Sequence, residues 1–230
     1  MTITDNITIR PVTLSDVPSL ISLKQAVWLN ESADSNLITI ALQTPSHQAF
    51  IAVIEGKPAG FISCFISTSQ LGEQRWEVDL LAVHPNFRRR GLATQLVQTA
   101  IQARQATGAG ESRALIAIDN KGSEMSFAKN GYTTDDQIYT LYISMSQPDG
   151  KHIKPIGAHL VQVNTFNYRG VWLEAKLSDK AFLGAQSKCA QENLDLVGVL
   201  IPDNRPAEQA LAQGRSFKPV SKSRWWHRPL

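Results

Sequence analysis

The fold is decided by a stretch of eighteen residues, EVDLLAVHPNFRRRGLAT, which occupies positions 77–94. Its first seven residues are mostly apolar and typical of a strand, and Pro85 ends that strand because proline cannot donate to a β-ladder. From Gly91 onward, apolar residues recur at helical spacing as far as position 106. The stretch therefore predicts a strand, an arginine-rich turn and an amphipathic helix.

The arginine-rich turn and the start of the helix have the properties of an anion site. The first N–H groups of a helix have no partner within the helix, and the helix dipole is positive at that end. Gly91 and Ala93 let a large phosphate approach the backbone, because neither carries a long side chain. We therefore expect a pyrophosphate in this loop. Without that context, a solvated turn is the favoured interpretation of Arg88, Arg89 and Arg90.

Apolar spacing, capping residues and turn residues divide the rest of the N-terminal part into strands and helices. A β-hairpin is indicated where Gly56 and Pro58 separate two apolar runs. The predicted elements are a strand at 7–11, a helix from Val17, a short helix within 29–46, strands at 49–54, 59–67 and 75–83, a helix at 91–106, a strand at 114–118, a helix at 123–130 and a strand at 138–145. Their order is β-α-α-β-β-β-α-β-α-β.

The C-terminal part repeats the end of this pattern. From position 149 the predicted order is β-β-α-β-α-β, and the segment IDNKGSE at 118–124 resembles PDNRPAE at 202–208, an offset of 84 residues. We predict an N-terminal domain at 1–146 and a second, partial copy of the same fold at 147–230. Chance similarity between two strand-to-helix turns is the alternative. The copy lacks the arginine-glycine loop, so we expect it to bind no coenzyme and to pair strands with the first domain or line its cleft.

Over roughly residues 7–146, the loop and its position between a strand and a helix resemble the GNAT superfamily of acetyl-coenzyme A dependent N-acetyltransferases. The family's loop pattern is matched by Arg88, Gly91 and Ala93. The resemblance implies an α/β fold, a mixed and mostly antiparallel sheet flanked by helices, with acetyl-CoA as cosubstrate. It also implies a set of coenzyme-binding residues: the backbone of Leu81, Ala82 and Val83 at the pantetheine arm, Arg88, Arg89, Arg90, Gly91, Leu92, Ala93 and Thr94 at the pyrophosphate, and Asn120 facing the arm.

The implied reaction transfers an acetyl group to a primary amine by direct attack in a ternary complex. A free alkyl ammonium has a pKa near 10.4, so a base must take its proton. Glu77 and Asp79 are the acids on the predicted strand, and Glu77 matches the general base of histone-acetylating members of the family. Either acid could instead pair with an arginine. A backbone N–H near Leu81 or Ala82 would stabilise the oxyanion.

One position departs from the family pattern. Many members carry a tyrosine four residues before the glycine that ends the last helix, where its hydroxyl can protonate the departing thiolate. Here that position is Phe127, before Gly131. A thiolate with a pKa of about 8.5 leaves without such help, so the change weakens the catalytic case without removing it. The alternative function is therefore a catalytically weakened acyl-CoA-binding regulatory or scaffold protein.

Composition and residue spacing narrow the classes of protein to which the chain can belong. Of 230 residues, 43% are hydrophobic and 19% charged, which fits a globular chain. No apolar run is long enough for a membrane span and no secretory leader is evident, so we expect a cytoplasmic protein without a membrane partner. Cys64 and Cys189 lack a disulfide or zinc spacing and are predicted to be buried thiols. The five histidines show no metal-binding spacing, so we expect no metal.

The excess positive charge lies at the C-terminus. Beyond Glu208 the chain has five basic residues and no acid. Such a tail, with Trp225 and Trp226, could bind nucleic acid, but we favour a solvated strand and an interdomain contact of the tryptophans. We expect the partner to be a small-molecule or peptide amine. Residues 29–40 would shape its binding site, and the acids Glu31 and Asp34 in that segment suggest a cationic acceptor. The acceptor's identity stays open, and a homodimer is an open option.

Overall fold

The computed structural model describes residues 6–145, 153–154 and 156–229. These residues form ten strands and six α-helices in the predicted order. The N-terminal half contains β1 (Ile7–Pro11), α1 (Val17–Val27), α2 (Ser35–Gln43), β2 (His47–Ile54), β3 (Lys57–Thr68), β4 (Gln74–Val83), α3 (Leu92–Gln105), β5 (Glu111–Ala117), α4 (Lys121–Ala128) and β6 (Ile138–Ser144). The C-terminal half contains β7 (Ala158–Asn164), β8 (Arg169–Ala175), α5 (Asp179–Gln191), β9 (Leu196–Pro202), α6 (Pro206–Gly214) and β10 (Lys218–Pro229).

The ten strands form one continuous sheet in the order β1-β2-β3-β4-β5-β10-β6-β9-β8-β7. Two neighbouring pairs are parallel, β4 with β5 and β8 with β9, and the other pairs are antiparallel. A core that includes residues of α3 covers one face of the N-terminal half, and a second core that includes residues of α1 and α2 covers the other. The predicted mixed, mostly antiparallel sheet flanked by helices is therefore confirmed.

The halves exchange their last strands. β6 leaves the N-terminal half and pairs with β9, while β10 returns from the C-terminal half and lies between β5 and β6. In β10, Trp226 stands opposite Ala114 of β5 and packs against the N-terminal core. Pairing of strands between the halves is thus a property of the fold. The predicted boundary at 146/147 lies outside the described residues.

The sheet also curls so that β7, its last strand, packs against β3. Phe65 of β3 clusters with Val161 and Val163 of β7, and its ring lies 5.4 Å from that of Trp172. A ring nitrogen of His159 lies within hydrogen-bond distance, 2.7 Å, of the carbonyl oxygen of Thr68. Because β7 packs back against β3, the face of the sheet between β4 and β9 becomes the wall of a partly open cavity.

A buried lysine holds the β7–β8 turn against α1. Lys24 is 1% exposed, and its Nζ donates to the carbonyl of Phe166 at 2.9 Å and to the side-chain oxygen of Asn167. Phe166 is fully buried in the core formed with α1 and α2. Burial lowers the pKa of Lys24, and the charges of Glu31, Asp79 and Asp34 oppose that shift. The second half therefore closes over the helices of the first.

β10, the strand that carries most of the C-terminal charges, is an inner strand paired on both sides. Its first residues, including Lys218 and Lys222, are nevertheless exposed, as expected for a strand with solvated surface charges. Lys222 pairs with Asp203, and Arg215 pairs with Asp179. The predicted interdomain contact of the tryptophans is present for Trp226, which packs against the N-terminal core. Cys64 and Cys189 are buried and not disulfide-bonded, as predicted. No helix in the described part of the chain is long and apolar enough to cross a membrane.

Trp226 provides a test of the strand exchange. Trp226→Ala should lower the free energy of unfolding by about 3 kcal/mol, because a large core side chain is lost from a strand that joins both halves. Val220→Ala, in the same strand but 56% exposed, should change it by less than about 0.5 kcal/mol. Urea unfolding monitored by circular dichroism measures both. Equal effects of the two substitutions would show that β10 is not part of the N-terminal core.

Candidate active site

The candidate site lies where β4 and β5 separate. Their parallel ladder runs from Arg75 opposite Glu111 to Val78 opposite Ala114 and ends there. On its other side β4 continues to pair with β3 up to Val83, but with a bulge: Cys64 faces Val78 and Ser63 faces Leu80. Asp79 is the extra residue of that bulge. Backbone groups of β4 beyond Val78 that point toward β5 are therefore not used in a ladder, and are available to a ligand.

A groove of about 600 Å³ lies on the α3 side of this separation. Its walls include the end of β4, the start of α3, the start of α4 and the end of α1. Nine of the eleven predicted coenzyme residues line it: Leu81, Val83, Arg88, Arg89, Gly91, Leu92, Ala93, Thr94 and Asn120. Gly91 caps α3 with φ +76, a left-handed conformation that a side chain would strain. The loop thus presents a helix start and two arginines to the same space.

The other two predicted coenzyme residues do not line this groove. Ala82 is 1% exposed, and its side chain packs into the core on the opposite face of the sheet. The guanidinium of Arg90 lies over the ring of Phe87, 5.5 Å from its centre. Asn120 lines the groove but also caps α4, because its Oδ1 accepts a hydrogen bond from the N–H of Ser123 at 3.1 Å.

A second cavity, of about 420 Å³, lies between the two halves. It reaches the same separation, because Val78 and Asp79 of β4 and Leu115 of β5 line it. The C-terminal half contributes residues from β8, β9, α6 and adjoining loops, and β10 contributes Trp225. The two cavities therefore lie along one strand, with Leu81 and Val83 in the groove and Asp79 in the cavity between the halves. The sequence left open whether the second half lines a cleft, and these contacts show that it does line this cavity.

Glu77 stands at the centre of an ion-pair network that spans both halves. It is 2% exposed, and its oxygens accept from Nε of Arg113 at 2.8 and 2.9 Å and from the hydroxyl of Ser67. Arg75 and Arg113 also donate to Glu174 of β8, at 3.0–3.1 Å. Burial alone would raise the pKa of Glu174, but the two arginines outweigh burial and lower it. The Glu77 carboxylate is thus held by charged partners.

Asp79 has the opposite environment two residues away. Its Oδ2 is closed off from solvent and has no hydrogen-bond partner among the described residues. Burial raises the pKa of Asp79 to about 7, the charge of Lys24 opposes the shift, and the charge of Glu77 adds to it. A carboxyl group with this pKa is present in both protonation states near neutral pH. Asp79 is therefore suited to exchange protons with a ligand in the cavity.

The position of the missing tyrosine is occupied by a core residue. Phe127 is 2% exposed and packs edge-on against Tyr132, with ring centres 4.9 Å apart. Two other tyrosines, Tyr139 and Tyr168, line the cavity between the two halves. The Tyr168 hydroxyl accepts a hydrogen bond from the indole of Trp172 at 2.8 Å. Sequence analysis missed Tyr168, Glu174 and Arg113, because their approach to β4 depends on the curl of the sheet.

Comparison with known proteins assigns the family. The model of the acetyltransferase (GNAT) family matches residues 17–132, half of the chain, and that segment contains β4, the loop and α3. The chain belongs to the GNAT family. A curated relative, an uncharacterized N-acetyltransferase of Methanocaldococcus jannaschii, is 30% identical over 86 residues, which are 36% of this chain and 38% of the relative. The match thus spans little more than a third of either protein.

Solved structures extend the likeness to the whole chain. A GCN5-related N-acetyltransferase from Sphaerobacter thermophilus has a TM-score of 0.62 at 12% identity, covering 99% of this chain and 97% of the other. A tandem GNAT protein from the clavulanic acid biosynthesis pathway has a TM-score of 0.59 at 13% identity, covering 97% and 98%. At sequence identities this low, the structural similarity shows a shared fold and nothing more. The tandem protein supports the prediction of a second GNAT-like copy after the first.

The pKa of Asp79 gives this GNAT protein a pH-dependent stability. The carboxyl holds its proton to about pH 7 when folded and to pH 3.8 when exposed, so folding stability should fall as pH rises between these values. Asp79→Asn has no titrating carboxyl at this position, so its stability lacks this dependence on pH. It should unfold at a higher temperature than the wild type at pH 8, with the difference shrinking toward pH 4. The exposed Glu55→Gln should follow the wild-type curve in thermal unfolding scans. A pH-independent difference would contradict the raised pKa.

Proposed function

We propose that this GNAT protein transfers the acetyl group of acetyl-CoA to a primary amine by direct attack in a ternary complex. Family membership supports acetyl transfer from an acyl-CoA in general. The finer proposal depends on one observation: the groove and the cavity between the two halves reach the same break between β4 and β5. A coenzyme entering from one side and an amine from the other would meet there.

The groove suits the coenzyme. The helix start at Gly91 and the side chains of Arg88 and Arg89 would hold the pyrophosphate, and free backbone groups of β4 near Leu81 and Val83 would hold the amides of the pantetheine arm. Asn120 lines the wall facing that arm. Arg90 belongs to the proposed loop through its backbone, since its guanidinium lies over Phe87. Ala82 likewise would contribute backbone only.

The cavity between the two halves suits the amine, with Asp79 as general base. As the amine nitrogen attacks the thioester carbonyl carbon, a C–N bond forms, the C–S bond breaks and the thiolate leaves. Asp79 takes the proton that the nitrogen loses. We assign Glu77 to positioning, because its oxygens already accept from Arg113 and Ser67. A thiol is acidic enough to leave as thiolate, so the phenylalanine at 127 is compatible with this reaction.

A second candidate function is a coenzyme-binding protein with weakened catalysis, acting as a regulator or scaffold. The observation that favours it is the packing of Phe127 into the core, which leaves no hydroxyl at that position. Both functions need the groove to bind acetyl-CoA. Turnover separates them.

Coenzyme binding can be tested at the loop. Gly91→Glu should abolish binding of acetyl-CoA in calorimetric titration, because the new side chain strains the left-handed position and puts a negative charge at the pyrophosphate site. Gly72→Glu is the matched control: Gly72 has φ +84 in the β3–β4 turn and lines neither cavity. It should bind as the wild type does. Retained binding by Gly91→Glu would remove the loop from the site.

The base can be tested by comparing two acids. Asp79→Asn should lower kcat at least about 100-fold and remove the rise in kcat/KM around pH 7, while acetyl-CoA still binds. Glu77→Gln should lower thermal stability and reduce activity less, and should keep the rise near pH 7. Release of free thiol from acetyl-CoA, measured from pH 6 to 9 with a primary amine, reports both. A wild-type pH profile in Asp79→Asn would show that Asp79 is not the base.

A further inference from the structure

The cavity between the two halves is lined by two residues whose carboxylates each have one oxygen without a hydrogen-bond donor in the described chain. One of these oxygens is Oδ2 of Asp79, at the break between β4 and β5. The other is Oε2 of Glu208 in α6, which is likewise closed off from solvent and without a hydrogen-bond partner. Both residues line the same cavity, one from each half of the chain. Buried carboxylate oxygens without a donor are costly, and a ligand that supplies donors would relieve that cost.

The cations around the cavity are already engaged. Arg75 donates to Glu174 through both terminal nitrogens, and Arg113 donates to Glu77 and Glu174. Arg113 also lies over the ring of Trp225, 4.1 Å from its centre. Arg205 donates to the other oxygen of Glu208 at 3.3 Å. A ligand carboxylate near Arg75 or Arg113 would therefore have to displace Glu77 or Glu174, whereas a ligand ammonium can bind to the unpartnered oxygens of Asp79 and Glu208.

One part of the wall of this space is apolar. That part is formed by Leu115, Leu141, Val199, Leu200 and Trp225, from β5, β6, β9 and β10. Methylene groups fit such a wall, while a polar or branched hydrogen-bonding linker would bury groups without partners. The lining thus combines acid, apolar wall and acid.

We propose that the amine acceptor is an α,ω-diamine, a linear aliphatic chain with an amine at each end. This inference rests on the proposed function, because it places one end at Asp79. That end attacks as the neutral amine, loses one proton to Asp79 as the C–N bond forms, and is acetylated while the thiolate leaves. The other end stays protonated and donates to Oε2 of Glu208, and the methylene chain lies along the apolar wall. Glu208 is then a specificity-determining residue, which acts on binding and not on the chemical step.

The test compares three acceptors of similar length: 1,5-diaminopentane, 1-aminopentane and 6-aminohexanoate. With saturating acetyl-CoA, thiol release should show kcat/KM for the diamine about tenfold above that for the monoamine, since one charged hydrogen bond is gained. The amino acid should be poorer than the diamine by a larger factor, because its carboxylate meets Glu208. Equal values for the diamine and the monoamine would overturn the proposal.

Glu208→Gln should raise KM for the diamine about tenfold and lower the ratio of kcat/KM for the diamine to that for the monoamine by a similar factor. Glu192→Gln, at an exposed acid directly after α5 that pairs with Lys188, is the matched control and should keep the preference for the diamine. An unchanged ratio of diamine to monoamine in Glu208→Gln would also overturn the proposal.

Calorimetric titration with 1,5-diaminopentane separates this inference from the proposed function. If the wild type binds the diamine, Glu208→Gln binds it about tenfold more weakly and no amine releases thiol, the cavity assignment stands and the transferase function fails. If thiol is released with monoamine and diamine alike, the function stands and the diamine assignment fails.

Discussion

The structure depends on the point at which β4 and β5 stop pairing. Up to Val78 and Ala114 the two strands form an ordinary parallel ladder, and beyond it each pairs only with its outer neighbour. The separation frees backbone groups for a ligand and opens the sheet to both faces. The bulge at Asp79 occurs at the same place, and it shifts the alternation of side chains so that Leu81 and Val83 face the groove. The groove and the cavity thus both meet at this one separation, and Asp79 lies at it.

The strand exchange makes the second half part of the same site. β8 and β9 also part after a short parallel ladder, at Leu173 and Val199, which repeats the geometry of β4 and β5. In place of a basic loop, however, α5 begins with Ser178 as its cap and with Asp179 paired to Arg215. An acid at that helix start would repel a phosphate. We therefore assign the second half to building the cavity wall, with Glu174 neutralising the arginines of the first half.

Much of this architecture could be predicted from local sequence. The loop from Arg88 to Ala93 identified the family, and turn residues such as Gly56 and Gly131 separated elements that the structure contains at nearly the predicted positions. The exchange of β6 and β10 could not be predicted, because hydrophobic alternation marks a strand without naming its neighbours. For the same reason the approach of Glu174 to Arg113, 61 residues apart, leaves no local signal. The bulge at Asp79 could not be predicted from the sequence either, because it depends on how β4 pairs with β3.

Glu77 and Asp79 show how environment divides labour between two acids on one strand. Both are carboxylates on β4, and sequence alone favours Glu77. Glu77 lies within the ladder, opposite Arg113 on the neighbouring strand, and its oxygens accept hydrogen bonds from that arginine. Asp79 lies one step beyond the ladder, where β5 no longer supplies an opposing residue, so burial without a donor raises its pKa to about 7. For this reason we propose the acid that the sheet leaves unpaired, and not Glu77, as the general base.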